Sequence, residues 1–61
     1  MFHVSQTGYG CEKTEVFETK TEALVFVEIA KRTPNVQTIK AWESENTFIH
    51  IVLWNGDWEN V

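Results

Sequence analysis

The stretch TFIHIVLWNGDWENV, residues 47–61, decides how the chain folds. Its first eight residues are rich in β-branched and aromatic side chains, the composition of a strand. Asn55-Gly56 follows, the pair best suited to a type I′ hairpin turn, in which both central residues take positive φ. The chain therefore reverses at this point. DWENV returns either as a short fifth strand or as a tail packed by Trp58.

Working backwards, SEN at 44–46 reads as a turn and VQTIKAWE at 36–43 as another strand. TPN at 33–35 ends a helix, because Pro34 cannot continue the hydrogen-bond ladder and disfavours helical geometry at Thr33. That helix is entered through TKTE at 19–22, a capping box. The Thr19 hydroxyl can accept from the amide of Glu22, and the Glu22 carboxylate can reach back to the amide of Thr19. KTEALVFVEIAKR places Ala23, Phe26, Val27 and Ala30 at i, i+3, i+4 and i+7, one helical face. Lys31 and Arg32 sit in the last turn, where cations favour the negative end of the helix dipole. FHVSQT at 2–7 alternates with period two, TGYG supplies a reversal, and EKTEVFE at 12–18 resumes an extended pattern. The sum is an α+β fold in one small domain, residues 1–61. Its order is β-β-α-β-β, one helix lies on one face of an antiparallel sheet, and a short fifth strand is optional.

One helix cannot cover both faces of such a sheet. In the strand at 47–54, alternation sets Ile49, Ile51 and Leu53 on one face, and Phe48, His50, Val52 and Trp54 on the other. Neither set is polar, whereas a strand with one wet face alternates apolar with polar. Three covers for the second face are open: a second copy of the chain, a different protein, or the C-terminal segment folded back. Small domains need such help. A chain of 61 residues buries only about 60% of the surface it exposes when unfolded. Its core rarely contributes more than roughly 3–5 kcal/mol. An intrachain disulfide is excluded, since Cys11 is the only cysteine. Cys11, His3 and His50 also lack zinc-ligand spacing. Self-association, with a dimer favoured, or a tightly bound partner is the expected supplement.

Composition limits the function classes. Hydrophobic residues at 43% and charged residues at 23% fit a folded domain and argue against disorder. Nine acids against five bases, net −4, disfavour direct binding to nucleic-acid phosphates. No stretch reaches the roughly 18 apolar residues of a membrane span. The N-terminus lacks the pattern of a signal peptide. With a lone cysteine, this points to a cytoplasmic setting. No cofactor or metal is expected. No catalytic set emerges either: His50 sits among apolar residues, and Glu12 beside Cys11 disfavours a reactive thiolate. GYG at 8–10 lacks the helix start and lysine of a phosphate loop.

Three tryptophans in so short a chain point instead to recognition, because tryptophan dominates interface hot spots. Trp54, Trp42 and Trp58 are the candidates, with Phe48, His50 and Tyr9 on the same surface. Against this, Trp58 could plug the core and Trp42 could pack across a hairpin. Leu24, inside the helix's polar arc, and Val25, at its edge, are a second candidate contact point. Glu12, Glu15, Glu18 and Glu22 form an acidic run. On a strand, Glu12 and Glu18 share one face and Glu15 takes the other.

In length, acidity and plan, and in a helix entered through FETKTEAL directly from a strand, the chain resembles small acidic proteins of bacteriophages and other mobile elements. That resemblance implies an inhibitory protein that binds a host or defence enzyme, and it carries no site residue. The expectation is a non-catalytic protein-binding domain that occupies a surface of a target. The alternatives are an accessory or regulatory subunit, a protein that sequesters a nucleotide between its tryptophans, and an acidic mimic of nucleic acid.

Overall fold

The computed structural model describes residues 1–60. The order is β1 (Phe2–Gly8), β2 (Cys11–Phe17), α1 (Lys20–Arg32), β3 (Val36–Glu43), β4 (Asn46–Trp54) and β5 (Asp57–Asn60). All five strands form one antiparallel sheet in the order β2-β1-β3-β4-β5. The fold is thus a small α+β domain with one helix on one face of the sheet. The C-terminal segment is a true edge strand rather than a tail folded over the sheet. Asn55 at φ 50° and Gly56 at φ 90° make the reversal into it, as a type I′ turn requires. Val61, the end of the expected DWENV segment, lies outside the described residues.

The helix lies over β1 and β3. Ala23, Val27 and Ala30 face the sheet and are buried. They pack on Val4, Val36, Ile39, Ala41 and Ile51. Two small alanines let the helix backbone come close to the sheet, so a thin core closes without large side chains. At the N-terminus the Glu22 amide donates to the Thr19 hydroxyl at 3.2 Å, a cap worth about 1 kcal/mol. The reciprocal bond from the Glu22 carboxylate is not made among the described residues. At the other end the orphan carbonyls find partners. The Thr33 hydroxyl donates to Ile29 and the Thr33 amide to Ala30.

The loop after the helix is held against the first hairpin. The Tyr9 amide donates to the Asn35 carbonyl at 3.1 Å. Asn35 itself sits at φ 70°, a left-handed conformation that asparagine tolerates. Gly8 permits this approach, because a Cβ there would overlap the Asn35 carbonyl oxygen.

One strand departs from simple alternation. Ala41 pairs with Ile49, but the next residue, Trp42, pairs with Thr47. Phe48 is therefore an extra residue on β4, a β-bulge. It turns toward the helix side, where its ring meets Phe2 edge-on at 6.1 Å and lies under the Lys20 ammonium at 5.0 Å. The expected grouping of Phe48 with His50, Val52 and Trp54 is corrected accordingly. Burial of an aromatic ring against Phe2 outweighs the unpaired residue in the ladder.

Candidate functional site

The side of the sheet opposite the helix is covered by no described part of the chain. The strand pairings lay its residues out in rows. At one end stand Val16, His3, Trp42 and Thr47. The next row is Thr14, Ser5, Lys40 and His50, followed by Glu12, Thr7, Thr38, Val52 and Glu59. Trp54, opposite Asp57, closes the far end. The middle of this face is thus polar, rich in hydroxyl side chains, with apolar groups at its ends.

The first row carries the most organised feature. The His3 imidazole and the Trp42 indole stack at 5.3 Å, with their planes 8° apart. The Lys40 ammonium stands 5.7 Å from the Trp42 ring centre, a cation–π arrangement. Val16, 49% exposed, adjoins His3 on the outer strand. Cross-strand pairing of aromatics and β-branched residues produces this local order. The result is an aromatic platform with one cation at its rim, which can accept an apolar or aromatic side chain.

The predicted site residues separate in space. Trp54 is 55% exposed at the tip of the β4–β5 hairpin. Six residues of β4, the bulged Phe48 among them, lie between it and Thr47, the partner of Trp42, so the two indoles are about 20 Å apart along the strand. Tyr9, in the β1–β2 turn, is at the Trp54 end of the sheet. His50 is exposed on the open face beside Lys40. Trp58 points to the helix side, half-buried against the core, and its indole donates to the Lys31 carbonyl. Phe48 is on that same side. The three tryptophans therefore do not form one surface, and the apolar part of β4's open face reduces to Val52 and Trp54.

A second apolar surface lies on the helix flank that faces β2. Val25, at 56% exposure, and Ile29, at 57%, are one helical turn apart and form a ridge. Together with Phe26 and Phe17, whose rings are 5.3 Å apart, they line an open groove of about 310 Å³. Leu24 is exposed too, but on a different flank, about 100° round the helix from Val25. Ile29 was missed in the sequence. Its position beside Val25, four residues on, was the signal that could have revealed it.

The acidic run is scattered. Glu12 is on the open face, Glu15 faces the helix side, and Glu18 lies beyond the end of β2. The expected sharing of a face by Glu12 and Glu18 does not arise, because the strand ends at Phe17. Among the described residues, no three His, Cys, Asp or Glu side chains converge as a metal would need. No described helix is long and apolar enough to cross a membrane. Comparison with protein-family models, curated proteins and solved structures gives no match.

Proposed function

We propose that this chain is a small non-catalytic protein-binding domain that uses the open face of its sheet to occupy a surface of a target protein. The observation that carries this reading is the His3–Trp42 platform, with Lys40 at its rim, on a sheet face that no described part of the chain covers. A stacked pair is rigid, so little side-chain entropy is lost when a partner settles on it. Trp54 at the far end supplies a second anchor of the residue type most common in hot spots. A host or defence enzyme is the proposed class of target, and inhibition by surface occupation the proposed outcome. The proposed location is the cytoplasm.

The separation of the tryptophans disfavours storage of a nucleotide between them, which calls for a concave aromatic pocket. Trp42 and Trp54 are too far apart to enclose a base. The scatter of Glu12, Glu15 and Glu18 likewise gives no phosphate-like row.

The test is comparative capture from the source cells. Immobilised wild type is set against Trp42→Ala with Trp54→Ala, and against Leu24→Ser with Val25→Ser, with circular dichroism to verify folding. Loss of the captured protein by the open-face variant alone supports the reading. Loss by the helix variant alone moves the binding surface to the other side of the molecule.

A further inference from the structure

The sheet has two free edges, and their charge patterns differ. β5 is four residues long, and Asp57 and Glu59 share one face. Pairing it with itself antiparallel about Trp58 would set Asp57 against Glu59 of the other copy, acid against acid. Such charge is a familiar guard on an edge strand.

β2 is seven residues long and behaves in the opposite way. Gly8 and Cys11 close a two-residue hairpin, so their main-chain groups point at each other. By alternation, Glu12, Thr14 and Val16 hold their N–H and C=O groups on the free edge. An added antiparallel strand must register on these residues. Two copies related by a two-fold axis can do so with the axis at Thr14. Thr14 then pairs with Thr14, and Glu12 with Val16. On the helix side, Lys13 falls opposite the second copy's Glu15, and Glu15 opposite its Lys13. Phe17 falls beside the second copy's Cys11, both half-buried. Shifting the axis by one residue sets Lys13 against Lys13, or Glu15 against Glu15. Opposed charges across strands stabilise, and like charges destabilise. The charge pattern therefore selects one register, and that register aligns the whole strand.

We infer that two copies of this chain join through their β2 edges, antiparallel about Thr14, into a continuous ten-stranded sheet. The Val25–Ile29 ridges of the two helices then face each other across the two-fold axis, above Phe17. Both helices lie on one side of the joined sheet and both open faces on the other. The pairing leaves the proposed target surface free and does not depend on that reading.

Sedimentation equilibrium at high micromolar concentration tests the inference. Wild type is expected at twice the chain mass of 7.1 kDa. Thr14→Pro removes an outward N–H from an edge strand, a change the fold tolerates, and is expected to sediment as a single chain. Lys13→Glu alone and Glu15→Lys alone are each expected to be monomeric, because every cross-strand ion pair becomes a like-charge pair. Mixing these two variants restores both ion pairs and should give a heterodimer, which also shows that each is folded. The double exchange, Lys13→Glu with Glu15→Lys, should dimerise by itself. A wild type that stays at 7.1 kDa, or a dimer that Thr14→Pro leaves intact, would overturn the proposal. So would a mixture of the two single variants that remains monomeric.

Discussion

The indole Nε1–H of Trp58 donates to the main-chain carbonyl of Lys31 across 3.2 Å, tying the last strand to the last turn of the helix. The bond gives a third carbonyl of that turn a partner, beside the two bonded by Thr33. It also makes Trp58 a structural residue at the margin of the core.

Trp58→Phe keeps a large ring and removes the donor. The expected loss is about 1 kcal/mol, the net worth of one hydrogen bond, read as a lower denaturant midpoint at unchanged slope. Trp58→Ala should cost more, about 3 kcal/mol, because it also leaves a void beside the core. Target binding by the folded Phe variant should match wild type. A binding defect there would place Trp58 at the interface instead.

Gly8 lies where the first hairpin meets the loop after the helix. A methyl group at this position collides with main-chain atoms of Asn35 and Val36, which cannot step aside without breaking the Tyr9–Asn35 bond. Gly8→Ala is therefore expected to destabilise by about 3 kcal/mol or more, at the upper end for overpacking. Gly10→Ala, with open space around its Cβ but φ at 65°, should cost only about 1 kcal/mol. Equal midpoints for the two variants would contradict the close approach at Gly8.

Gln6 is 7% exposed on the helix side of β1, and its amide oxygen is buried without a hydrogen-bond partner among the described residues. An unpaired buried polar group carries a desolvation penalty of roughly 1–3 kcal/mol. Gln6→Leu fills a similar volume without that penalty. It should stabilise by about 1 kcal/mol, a rise of roughly 4–8 °C in Tm for a domain of this size. A lower Tm would show that the amide is bonded in solution, for instance through a water.

Much of this architecture was legible in the sequence, for local reasons. The helix runs from Lys20 to Arg32, as its cap, periodicity and terminating Pro34 indicated. The Asn55-Gly56 turn and the strand Val36–Glu43 stand where turn chemistry and composition placed them. What escaped depends on partners distant in sequence. The bulge at Phe48 exists because Phe2, at the other end of the chain, offers its ring a buried contact. Without the bulge, the second face of β4 reads as more apolar than it is. Strand order escaped for the same reason. The edge position of β2, on which its self-complementary charges depend, follows from β1 pairing with β3, a choice no local pattern encodes. The His3–Trp42 stack also required that register.

Binding through the open face predicts a definite order of mutational effects. Trp42 and Trp54 project from its two ends, and the sheet beneath them is held by the core on its other side. Replacing either indole by alanine should leave the fold intact. Trp42→Ala also removes the support of the His3 ring and the Lys40 cation–π contact, so its effect should be the larger. A loss of about 2 kcal/mol or more, the hot-spot threshold, is expected there. Glu12→Gln with Glu15→Gln and Glu18→Gln should change affinity little. Glu12 lies on the open face and Glu15 on the helix side, so the three carboxylates cannot meet one groove together. Affinity for the captured target, measured for each variant at two salt concentrations, separates the mechanisms. Aromatic recognition changes little with salt, whereas exposed charge pairs are screened over about 10 Å at 0.1 M. If the triple Gln variant fails while both tryptophan variants bind normally, and wild-type binding falls steeply with salt, the open face is not the recognition surface. Electrostatic mimicry then becomes the better reading.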